Sequence, residues 1–143
     1  MTALLSSGGI AAGEQVAGPL VVLDVPFLAQ TEALCGGAAA AMVMRYWGAT
    51  TARPEAFADL IDAERDGITT GALVDRLRSM GFQALPFRAE ASLVQEHLER
   101  GRPVIGLIAP SPGRFHYVVL VAWRGRQVLL HDSFDGVIGY NTF

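Results

Sequence analysis

The chain reads as an α+β domain with its helices and strands segregated into layers, and three observations predict this. Helix-forming runs and their stop signals gather in the first two thirds, between Ala38 and Gly101. Three short β-rich runs, PVIGLIA, HYVVLVAW and QVLLHD, follow in the last third. Runs of helix followed by runs of strand give separate layers instead of alternating βα units. A length of 143 residues with 51% hydrophobic and 17% charged side chains suits one core, which buries about two thirds of the unfolded chain's surface.

Residues 1–20, MTALLSSGGIAAGEQVAGPL, are small, Gly-rich and free of positive charge. They read as a flexible lead-in to a domain at 21–143, with a clipped or mis-started secretion signal as the other reading. Val21–Phe27 is β-branched and apolar, and Pro26 restricts it to an edge strand or a strand end. Gln30–Glu32 is a polar turn. Ala38–Trp47 has high helix propensity and few polar groups, which predicts a helix buried on most sides and ended by Gly48.

Arg53–Ala63 predicts a short helix, with Pro54 in its first turn and Phe57, Leu60 and Ile61 on one face. Asp66–Thr70 is a turn supplying a capping hydroxyl to the helix Gly71–Met80, which Gly81 stops. Phe82–Phe87 is a strand candidate. Ala91–Arg100 is another short helix, with Ser92 near its start and Gly101 after its end. Tyr117–Trp123 and Gln127–Leu130 form a hairpin through Arg124, Gly125 and Arg126.

The charge balance of 11 basic against 14 acidic side chains, net −3, and the lack of a basic cluster argue against a nucleic-acid partner. No apolar run reaches the ~18 to 20 residues that span a bilayer. The single cysteine excludes an intramolecular disulfide, a CxxC pair and a multi-cysteine zinc cluster. No metal or cofactor is implied. The sequence leaves the compartment unknown: cytoplasmic, or exported if the lead-in is a signal remnant.

That cysteine, Cys35, stands at the start of the helix Ala38–Trp47, and a thiol at a helix N-terminus beside an imidazolium ionises more readily. Gly36 and Gly37 have no side chains to shield it and let a substrate backbone come close. The alternative is a small buried hydrophobe. His116 opens a strand after the loop Pro110–Phe115, at a strand end beside solvent. If Trp123 pairs with Gln127, Asp132 faces Val118, one diagonal step from His116; shifted by two, it faces His116 directly. An odd register puts His131 on that side instead.

Thiol, imidazole and orienting carboxylate make a nucleophilic triad in the chain order Cys35, His116, Asp132. The Gln30 amide, five residues before the thiol, and the Cys35 N–H are donors suited to an oxyanion. His97 reads as a boundary histidine, His131 ranks behind His116, and Asp24 as a local cap or pair. Asp59, Asp62, Glu64 and Asp66 read as a solvated face without metal-ligand spacing.

The segments DVPFLAQTEALCGGAAAAMVMRYWG, GITTGALVDRLRSMGF, GRPVIGLI, FHYVVLVAW and HDSFDG, in that order, resemble the C39 family of cysteine peptidases, known for removing double-glycine leaders from bacteriocin precursors. The likeness covers about Val22 to Gly136. It implies a papain-like α+β fold, with the nucleophile on the N-terminus of a central helix packed against an antiparallel sheet. It places the nucleophile on Cys35, the base on His116, the orienting aspartate on Asp132 and the oxyanion glutamine on Gln30. Two departures stand out: Gln30 is one residue closer to the cysteine than in exporter-linked members, and Ser133 follows the aspartate where proline is common. With neither a membrane-spanning nor an ATPase segment, the expectation is a stand-alone branch or an excised domain.

The function expected is therefore cleavage of a peptide or protein substrate, after Gly-Gly by analogy. Two alternatives use the same residues: a peptidase-like module that holds a peptide without cutting it, and an acyl or peptidyl transferase. The pair Gly8-Gly9 is a candidate site for cleavage of the chain's own lead-in.

Overall fold

In the computed structural model, which describes residues 20–30 and 33–141 (137–141 through their backbone), a helix starts at the cysteine itself. The lead-in with Gly8-Gly9, and Thr31 and Glu32 of the polar turn, lie outside the described residues. Helix α1 spans Cys35–Tyr46, three residues earlier than expected, and its first turn closes with Ala38 N–H donating to Leu34 O at 2.8 Å. Close packing is what puts glycine into this turn. A Cβ on Gly37 would stand 2.6 Å from Pro54 O, and one on Gly36 would stand 3.1 Å from the Tyr117 ring. The helix is buried from Gly36 to Met42, and Gly48 ends it at φ 99°.

The helix expected over Arg53–Ala63 forms as a 3₁₀ helix, Pro54–Leu60, which buries Phe57 completely. Ile61–Asp62, expected at the end of that helix, forms β1 and pairs antiparallel with β2 (Gly67–Ile68), which falls in the expected turn. The Asp62 carboxylate shapes the bend by accepting from the N–H groups of Glu64 and Arg65. Helix α2 (Thr70–Ser79) is capped by the Thr69 hydroxyl, which accepts from Ala72 N–H at 3.3 Å. Helix α3 spans Ala91–Glu99 with Glu90 as N-cap, so Ser92 does not cap it.

Neither strand candidate outside the last third forms. Residues 82–87 run without a partner edge: Leu85 is 76% exposed, and the Ala84 carbonyl accepts from the Arg78 guanidinium instead. Val21–Phe27 buries Leu23 and Val25 but bends tightly, with Val25 N–H donating to Leu23 O at 2.9 Å, and its bond to the sheet is Leu23 N–H to Val121 O at 2.9 Å. The main sheet is antiparallel, in the order β3 (Val104–Ser111), β4 (Arg114–Arg124), β5 (Gln127–Asp132), β6 (Gly136–Asn141). Strand β6 was not anticipated. Tyr117, Val119 and Val121 of β4 pack into the core with α1, whereas Val118 joins Val128 and Leu130 in a second cluster.

The β4–β5 register has two parts. A two-residue loop, Gly125-Arg126, sets Arg124 opposite Gln127 and Trp123 opposite Val128, one step from the expected Trp123–Gln127 pairing. Continued unchanged, this odd register would set Asp132 opposite Val119, on the face away from His116. Strand β4 instead carries one extra residue, Val121, between Leu120 and Ala122, after which Leu120 opposes Leu130 and Val119 opposes His131. One step further on, Asp132 falls opposite Val118 and on the His116 side. The bulge restores the even register where the site needs it, and the Val121 carbonyl takes the Leu23 N–H.

His131, opposite Val119, is 7% exposed and meets the Phe27 ring edge-on at 5.8 Å. Burial pushes its pKa below the ordinary 6.5. As pH falls through 6.5 toward the lower folded value, the unfolded chain takes up a proton that the folded one refuses. Stability is therefore full above that window and lost on descending through it. Denaturant titrations at about pH 7.5 and 5.5 are expected to show this loss, and His131→Phe is expected to reduce it.

Candidate active site

An open cleft of ≈ 1010 Å³ holds Gln30, Cys35, His116 and Asp132 in its wall, together with Thr70 and Tyr117. Cys35 is the first residue of α1 and partly buried. The N-cap residue, Leu34, makes no side-chain cap, and no acidic residue stands in the first turn. The N–H groups of this turn thus keep their partial positive charge for whatever lies at the thiol. Ala33, two residues before it, is held at φ 64°, a left-handed conformation uncommon for alanine.

His116 sits near the start of β4, and its Nε2 lies 2.8 Å from Asp132 Oδ1, with both side chains largely buried. The same oxygen accepts from Phe134 N–H at 2.9 Å and Asp135 N–H at 3.4 Å, so the turn after β5 holds the carboxylate in place. Because an ionised carboxylate only accepts, Nε2 carries the hydrogen, and a neutral His116 keeps its lone pair on Nδ1. The Phe134 ring lies tilted against the imidazole at 5.9 Å.

The Gln30 backbone N–H donates to Ser133 O at 3.2 Å, while both side-chain amide atoms are buried without a partner among the described residues. Gly36 and Gly37 are buried and absent from the cleft wall. Their lack of side chains admits the Tyr117 ring and the Pro54 carbonyl.

Tyr117 is a residue of the site that sequence reasoning missed, although it directly follows His116. Its hydroxyl lies 3.0 Å from Thr70 Oγ1. Burial raises the pKa of this phenol, and the bond to Thr70 opposes that.

Asp66 of the acidic segment also lines the cleft, whereas the other two histidines and Asp59 stand apart. His131 is on the opposite side of β5 from Asp132 and outside the cleft wall. His97 packs against Phe87 at 5.2 Å, with Arg102 beside its Nδ1 at 3.5 Å. Asp59 pairs with Arg76, whose hydrogen bonds hold that carboxyl below its usual range. Among the described residues no group of three or more His, Cys, Asp or Glu could hold a metal ion. No helix among them is long and apolar enough to cross a membrane.

A helix with a thiol at its N-terminus, set against an antiparallel sheet that supplies a histidine and an aspartate, is the papain-like arrangement. The chain belongs to the Peptidase C39 like family, whose model matches residues 22–141. Among solved structures it resembles the crystal structure of a double glycine motif protease from an AMS/PCAT transporter in complex with the leader peptide. The TM-score is 0.65 at 24% identity, over 84% of this chain and 81% of that one. No curated protein matches the chain.

Proposed function

We propose that the chain is a cysteine peptidase in which Cys35 is the nucleophile, His116 the general base and acid, and Asp132 the group that orients the imidazole. The observation that carries this reading is the 2.8 Å contact between His116 Nε2 and Asp132 Oδ1 in the wall of the cleft that holds the thiol. That bond leaves Nδ1 to accept the Sγ proton. The thiolate then attacks a peptide carbonyl carbon. The Cys35 N–H at the uncapped helix terminus, together with the Gln30 amide, stabilises the oxyanion that forms. As the C–N bond breaks, His116 returns the proton to the departing amine. A water molecule deprotonated by His116 next attacks the thioester, releasing the acid and restoring the thiol.

The substrate we assign is a peptide cut after Gly-Gly. Family membership supports it, as does a neighbour in complex with a leader peptide. The cleft is at the large end of the ligand-site range of about 300–1,000 Å³, so it accommodates an extended segment and not the scissile glycines alone. We assign the activity to the domain from residue 21 onward.

Incubation with peptides carrying an internal Gly-Gly, followed by mass spectrometry, is expected to give N-terminal products ending in Gly-Gly. Cleavage elsewhere would remove the specificity and keep the chemistry. Binding without cleavage would leave a peptide-holding module, and products joined to an added amine would make the chain a transferase.

A further inference from the structure

Four buried side-chain polar atoms have no hydrogen-bond partner among the described residues: Gln30 Nε2 and Oε1, His131 Nδ1 and Ser133 Oγ. All four come from two segments that lie against each other. Phe27 meets the His131 ring edge-on, and Gln30 N–H donates to Ser133 O. Gln30 is the member of this group that reaches the cleft wall. His131 and Ser133, 7% and 2% exposed, are absent from that wall.

Buried amide, imidazole and hydroxyl groups carry a free-energy cost unless they are satisfied, directly or through a bridging water. These three are complementary. The amide offers donors and an acceptor, the hydroxyl offers both, and the neutral imidazole nitrogen takes either role according to tautomer. Burial keeps the His131 ring in its neutral form.

We infer that Gln30, His131 and Ser133 form one group whose four buried side-chain polar atoms, none of which bonds another directly, are joined through bridging water, and in which His131 and Ser133 are positioning residues that fix the aim of the Gln30 amide. This rests on the reading of Gln30 as an oxyanion donor. Such a donor works by being held in place before charge develops. The polar atoms of the Gln30 amide present almost no surface to solvent, so the groups joined to it set its direction. The tripeptide His131-Asp132-Ser133 then serves both halves of the site: its central residue holds the base, and its two neighbours hold the oxyanion donor.

The test is steady-state kinetics on His131→Phe, which keeps a ring beside Phe27 and removes Nδ1, and on Ser133→Ala. Each is expected to lower kcat by about ten- to a hundredfold, no more than loss of the donor itself, with KM changed less. Ser133→Thr, which restores a hydroxyl, should recover most of the loss. Alkylation of Cys35 by iodoacetamide, which forms no oxyanion, should keep its wild-type rate. In a Gln30→Ala background neither substitution should cost anything further.

Full kcat in both variants would overturn the inference, as would an undiminished loss in the Gln30→Ala background, or alkylation slowed in step with hydrolysis. Ser133→Ala, the smaller change, carries the test alone if His131→Phe does not fold. A wild type that neither cleaves peptides nor alkylates rapidly overturns the peptidase reading itself, and this role with it.

Discussion

Cys35→Ala is expected to take peptide cleavage to the uncatalysed background, and His116→Ala to lower kcat by about ten-thousand- to a million-fold. The size follows from the division of labour. The thiol supplies the bond-forming pair, while the imidazole removes its proton and later gives that proton to the amine, and no other histidine stands in the cleft wall. The double variant is therefore expected to be no slower than either single one, because residues that act as a unit are non-additive. Cys35→Ala should unfold close to the parent, whereas His116→Ala, which takes one donor from the buried Asp132 carboxylate, should unfold somewhat earlier. Losses that multiply would mean the two side chains work independently, and the triad would fail.

The second large effect is at Asp132, where one oxygen receives the His116 ring and two backbone N–H groups of the following turn. Asp132→Ala strips all three donors of their acceptor in a buried place, and leaving a buried donor unpaired costs about 1–3 kcal/mol. The turn is expected to loosen and the imidazole to lose its orientation, lowering kcat by about a hundredfold or more. Asp132→Asn retains an oxygen for the same contacts and is expected to keep kcat within about tenfold of the parent, with most of the stability. An asparagine variant as slow and as unstable as the alanine one would show that the charge, not the orientation, matters.

Much of this was legible in the chain, and the parts that were not have physical causes. The α1 and α2 helices, the Thr69 cap and the stops at Gly48 and Gly81 are local chemistry, and local chemistry is what a sequence displays. Sequence puts the start of α1 three residues late, because two glycines look like a flexible turn. Only the closeness of Pro54 and Tyr117 shows that they are helical by packing. Residues 82–87 have strand-like composition but no edge to pair with, so the tertiary arrangement overrides their propensity.

The His116–Asp132 contact was anticipated from an even hairpin register. The register at the turn is in fact odd, and the Val121 bulge corrects it before the site is reached. A bulge of one valine among valines leaves no mark in the sequence. Tyr117 reads as one more apolar strand residue, since nothing local signals a hydroxyl pairing with Thr70 across 47 positions.

The most direct test of the account is the alkylation rate of Cys35 by iodoacetamide at about pH 6, where an ordinary thiol is almost wholly protonated, in the folded parent and in His116→Ala. Rapid labelling of the parent that the substitution slows at least tenfold is the expected result. Equal and slow labelling in both forms, or none before unfolding, would make Cys35 a packing residue and contradict the peptidase reading.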